Sequence, residues 1–98
     1  MDVAATLVNG FDDCDKPGDY FLYKSSKSEE VFAGMVFCCP CGCGVVGAIP
    51  FDTEFNSDSG PKWKWNGSVQ KPTLNPSIQK TSTCRWHGYL TDGVFKDV

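Results

Sequence analysis

The chain has a single histidine in 98 residues, no excess of positive charge and no long apolar run. A membrane-spanning helix needs about 18 or more consecutive apolar residues, and no stretch approaches that. The start, Met1 to Leu7, lacks the basic region and apolar run of a secretion signal. A soluble protein made without a leader is therefore expected. Nine Lys and Arg against twelve Asp and Glu leave a net charge of -3 and a pI near 4.9, so no overall basic field attracts a phosphate backbone. The acidic residues are scattered in small groups such as Asp12-Asp13 and Glu29-Glu30, which suits a solvated surface better than a dense polyanionic mimic of DNA. Neither an amphipathic helix nor an internal repeat is present.

What remains reads as strands and turns. The 41% hydrophobic content, with seven Phe, three Tyr and three Trp, is that of a folded protein. A chain this short buries a modest share of its surface, so a staple would help its core. One domain over residues 1–98 is expected, with an irregular N-terminal segment over 1–18 in which Val3 to Val8 reads as strand or short helix. Asp19 to Tyr23 and Val31 to Cys38 read as strands, with Lys24 to Glu30 a polar linker. Val45 to Phe51 resumes the apolar character after the cysteine cluster, so the two runs form a hairpin. Asp52 to Pro61 reads as a loop. Trp63 and Trp65 alternate with Lys62 and Lys64, which places both indoles on one side of a strand. Pro72 to Ile78 holds two prolines and reads as an extended edge segment. His87 to Phe95 reads as a hairpin around Thr91-Asp92-Gly93.

Six cysteines raise the choice between disulfides and metal. Spacing favours metal. Cys39 and Cys41 are poorly placed to bridge each other, whereas thiolates one to three residues apart at a turn can share one ion. The knuckle Cys39-Pro40-Cys41-Gly42-Cys43-Gly44 supplies three ligands, and Cys84-Arg85-Trp86-His87 supplies a thiolate and the imidazole. The candidate ligands are thus Cys39, Cys41, Cys43, Cys84 and His87, one more than a tetrahedral structural zinc needs. Cys38 is a sixth candidate by its Cys-x-x-Cys spacing to Cys41, although alternation along a strand turns it away from Cys39. Cys14 reads as a bystander.

Two other chemistries use the same residues. A Cys-His pair can act as nucleophile and base, but crowded thiols with one histidine suit a closed coordination shell better. A catalytic zinc would need a nearby carboxylate, and Asp92, the nearest in sequence, is explained by its turn. Trp63, Trp65 and Trp86 beside Lys62, Lys64 and Arg85 could stack single-stranded bases or anchor a protein partner. Filling a small all-β core accounts for some of the same rings.

The successive motifs Cys39 to Gly44, Trp63-Lys64-Trp65-Asn66-Gly67, Pro72 to Ile78 and Trp86 to Phe95 resemble a family of small bacteriophage and prophage zinc-binding proteins without an assigned activity. The resemblance implies Cys39, Cys41, Cys43 and His87 as metal ligands, with Cys84 matched less regularly. It also implies a zinc-stabilised β domain working in the cytoplasm of a host bacterium. The expectation is therefore a mostly β, zinc-ribbon-like hairpin with extra strands around one structural Zn2+. Its expected action is non-enzymatic, by protein-protein interaction with a host or defence factor. A nucleic-acid-binding zinc ribbon is the second reading, and a small metal- or thiol-dependent enzyme the third.

Overall fold

β-branched and aromatic residues set in short runs between glycine, proline and Asx turns favour many brief strands over helices. The computed structural model describes residues 2–25, 28–53, 61–79 and 85–97. Among them the strands are β1 (Asp2–Ala4), β2 (Thr6–Leu7), β3 (Asp19–Ser25), β4 (Ser28–Cys38), β5 (Val46–Pro50), β6 (Lys64–Trp65), β7 (Leu74–Gln79), β8 (His87–Thr91) and β9 (Val94–Asp97). The described residues contain no α-helix, only a 3-10 turn at Phe11–Asp13.

One sheet has the order β1-β9-β8-β7-β6 and the other β2-β3-β4-β5. All pairings are antiparallel except β2 with β3. The sheets are connected at both edges. Ala5 joins β1 to β2, and its amide donates to Gly93 O at 2.8 Å while that of Thr6 donates to Gly18 O at 3.0 Å. On the other side Phe51, just past β5, forms a parallel bridge with Trp63, just before β6.

Between the sheets lies the core of Tyr20, Met35, Phe37, Cys39, Ile49, Phe51, Leu74, Ile78, Trp86, Leu90 and Phe95. Phe37 stacks on Phe95 at 5.5 Å and Phe51 on Trp65 at 5.0 Å, so aromatic pairs bind one sheet to the other. Each buried ring of this kind contributes roughly 1.5–3 kcal/mol by leaving water.

The expected hairpins are present. Cys38 pairs with Val46 across the knuckle, and Thr91 pairs with Val94 around Asp92 and Gly93. Both turn residues are left-handed, at φ 48° and 76°, as a type I′ turn requires. Val3 to Val8 holds two short strands, the first of the two forms expected for it. Two segments differ from expectation. β3 and β4 extend into the expected linker as far as Ser25 and Ser28. Pro72 to Ile78 is not an edge, because β7 lies between β6 and β8. Pro76 is tolerated there because it falls in the irregular stretch between the Leu74 and Ile78 pairings with β8, where no ladder amide is needed. Most of the expected loop over 52–61 lies outside the described residues.

Candidate functional site

At the tip of the β4–β5 hairpin the chain reverses through Pro40-Cys41-Gly42-Cys43-Gly44. Cys39 N donates to Val45 O at 3.0 Å and Gly42 N donates to Cys39 O at 3.2 Å, closing the turn. Gly42 and Gly44 are left-handed, at φ 89° and 82°, which a side chain would resist. The result is convergence of three thiols. The sulfurs of Cys39, Cys41 and Cys43 all lie within 4.8 Å of one another, with Cys39 and Cys41 3.3 Å apart. Sulfurs set ~2.3 Å from one tetrahedral ion are about 3.8 Å apart, so the three fit a shared metal. Cys39 is buried and the other two are exposed, so an ion held by the three would have one side in the core and one towards solvent.

The remaining candidates fall elsewhere. Cys84 lies outside the described residues. Cys38 and Cys14 are buried and stand outside that group, and Cys14 Sγ donates to Asp19 O at 3.4 Å. Burial raises both thiols above the ordinary cysteine range; for Cys14 the neighbouring Cys38 and Asp19 add to it, and for Cys38 Asp19 and Cys43 do. Such thiols stay protonated and unreactive. The buried carboxylate of Asp19 accepts from Lys16 N at 2.9 Å and Asp15 N at 3.3 Å, which shapes the loop beneath them.

His87 also lies outside the cysteine group. Its Nε2 is 3.1 Å from Ser77 Oγ. Register explains the meeting. Ile78 pairs with Gly88 and Gln79 with His87, and Ile78 and Leu90 point into the core. Side chains alternate along a strand, so Ser77, Gln79, His87 and Tyr89 share the outer face, where Tyr89 is 47% exposed. Ser77 and His87 are diagonal neighbours there, both half-buried. With Nε2 unprotonated the serine hydroxyl donates to it, the arrangement in which an imidazole can take the hydroxyl proton.

Both members are held from behind. A Cβ on Gly88 would collide with the backbone oxygen of Lys96 and lie 2.6 Å from the Trp86 ring, so glycine beside His87 lets both pack against this position. Trp86 in turn meets Phe95 edge-on at 6.0 Å. On the β7 side, Trp63 Nε1 donates to the carbonyl of Ser77 at 3.2 Å. The three tryptophans are thus mainly core: Trp86 is buried, and Trp63 and Trp65 pack against the cluster.

Sequence reasoning singled out His87 as a ligand and passed over Ser77. A nucleophilic serine and its base have no fixed spacing, because the fold brings them together. The available signal was the solitary histidine.

A family model described as "Bacterial ubiquitination-like system serine protease (BubE)" matches residues 8–98. No curated protein and no solved structure matches the chain. The family match overturns the expectation of a non-enzymatic binding protein, since the description is that of a protease. It agrees with the resemblance as far as a small bacterial family goes, and its description says nothing of zinc. That expectation rested on the crowding of the thiols and on the lack of an acid-base constellation that could be read along the sequence.

Proposed function

The chain belongs to the family of bacterial ubiquitination-like system serine proteases, and from that premise we propose that Ser77 is its nucleophile and His87 its general base. The observation that carries this reading is the 3.1 Å approach of Ser77 Oγ to His87 Nε2, in a chain with one histidine. A protease of this type needs both groups in hydrogen-bond reach, and no other imidazole exists to serve.

The chemistry follows from the pair. Ser77 Oγ attacks the carbonyl carbon of the scissile acyl bond as its proton passes to His87 Nε2. The tetrahedral intermediate collapses, His87 returns the proton to the leaving amine or alcohol, and an ester on Ser77 remains. Water, deprotonated by the same imidazole, then hydrolyses that ester and frees the serine. The pair lies on the outer face of a sheet rather than in a deep cleft, which suits a macromolecular substrate. The proposed partner is a ubiquitin-like protein, and the bond attacked is the acyl linkage at its C-terminus.

The cysteine knuckle has a separate role in this proposal. Cys39, Cys41 and Cys43, with Cys84 as fourth ligand, would hold one structural zinc; its contribution is stability rather than a step of the reaction. Cys84 is two positions before Trp86, which shares the buried cluster with Cys39. A metal bound there would tie the knuckle to the segment leading into His87.

The test is hydrolysis of a ubiquitin-like protein carrying a C-terminal fusion. Wild type should release the fusion, and Ser77→Ala and His87→Ala should each lose activity by about 10³-fold or more. Cleavage that persists in folded Ser77→Ala would refute the assignment.

A further inference from the structure

Trp63 occupies a position where both sheets need it. Its backbone belongs to the sheet of β5: Trp63 N donates to Pro50 O at 3.0 Å, and Asp52 N donates to Trp63 O at 2.8 Å. Its side chain belongs to the other sheet, through the hydrogen bond from Nε1 to Ser77 O at 3.2 Å. The reason is register. β6 pairs with β7 only at Lys64↔Asn75 and Trp65↔Leu74. Had that ladder continued, Ser77 would face residue 62, but one step beyond Lys64 the chain has turned to bridge Phe51. The indole N–H thus reaches the Ser77 carbonyl from a chain that no longer lies alongside it.

We infer that Trp63 is a positioning residue for the nucleophile. The inference rests on the reading of Ser77 and His87 as the catalytic pair. Rotation of the Ser77 peptide would swing Cα, and with it Oγ, away from His87 Nε2. The indole resists that rotation with a half-buried hydrogen bond anchored in the opposite sheet. Small misplacements of reacting atoms cost rate steeply, so the loss should appear in reactivity more than in stability. Trp65 offers an internal control: its indole donates to Ser68 O at 3.0 Å, within its own turn.

The experiment compares Trp63→Phe and Trp65→Phe, which each remove one indole N–H and keep an aromatic ring. The reagent is a fluorophosphonate, scored by the rate of adduct formation at Ser77. Trp63→Phe should react about ten-fold more slowly, the effect of one hydrogen bond of typical net strength, while Trp65→Phe reacts at the wild-type rate. The single histidine gives a second readout that a purely structural role would not move. In protein labelled with 13C and 15N histidine, the Nε2 resonance should shift in Trp63→Phe, as contact with the Ser77 hydroxyl is lost, and stay in place in Trp65→Phe. If Trp63→Phe fails to fold, benzothienylalanine at position 63 replaces the N–H by sulfur in nearly the same shape and is scored alike. Wild-type labelling and an unmoved resonance in a folded position-63 variant would overturn the inference. Failure of wild type to label at Ser77 would instead overturn the catalytic pair itself.

Discussion

The cysteine knuckle and the serine-histidine pair are two clusters of reactive side chains built by opposite means. The knuckle is local: Cys39, Cys41 and Cys43 are brought within 4.8 Å of one another by one turn and its left-handed glycines. The pair is remote by comparison. Ser77 and His87 belong to separate strands, and only the register that sets Gln79 opposite His87 brings them to 3.1 Å. A cluster made by one turn can be damaged one ligand at a time. A cluster made by register depends on everything that fixes the strands, including Gly88, Trp86 and Trp63.

The largest effect that separates them is chemical. Ser77→Ala should abolish hydrolysis, by about 10³-fold or more, while metal content and melting temperature stay at wild-type values. Next in size is the loss of a ligand. Cys41→Ser should release metal and cost several kcal/mol of stability, seen in thermal unfolding, because metal binding in a small domain is part of its folding energy. His87→Ala sharpens the contrast further: on the proposed division of labour it keeps its metal, measured by elemental analysis, whereas Cys84→Ser does not. Loss of metal from His87→Ala would return the histidine to the coordination shell.

A smaller effect is expected behind the pair. Gly88→Ala would force its new methyl against the backbone oxygen of Lys96 and then the Trp86 ring, at roughly 1–3 kcal/mol or more in unfolding free energy, and should lower hydrolysis by displacing His87. An unchanged rate and stability would show that β8 tolerates the shift.

The smallest concerns Cys14. Its thiol is raised by burial first, then by Cys38 and Asp19. Its contribution to stability is therefore complete below the ordinary thiol range and fades as pH rises through the raised value. Alkylation by iodoacetamide at neutral pH should be slow at Cys14 in the native protein and fast in urea. Rapid labelling of Cys14 without unfolding would contradict its burial.

The same comparison explains what could be read from the sequence. The knuckle was legible because its thiols and turn residues are contiguous, as was the hairpin around Asp92 and Gly93. Strand character was also legible, through the Phe, Tyr, Trp and Val runs. The position of β7 was not: two prolines suggested an edge, and nothing local showed that Pro76 would fall where its ladder with β8 is interrupted. Ser77 was hidden for a related reason. A serine in an extended segment has no distinguishing neighbours, and its partner is defined only after β7 and β8 are aligned. The solitary histidine was noticed, but its proximity in sequence to Cys84 directed it to the metal.

The central claim is that Ser77, activated by His87, is the reacting atom's source. Treatment with a fluorophosphonate followed by peptide mass mapping tests it most directly. One adduct on the peptide containing Ser77, absent in His87→Ala, is the predicted result. An active protein modified at another serine, or modified equally without His87, would contradict the account.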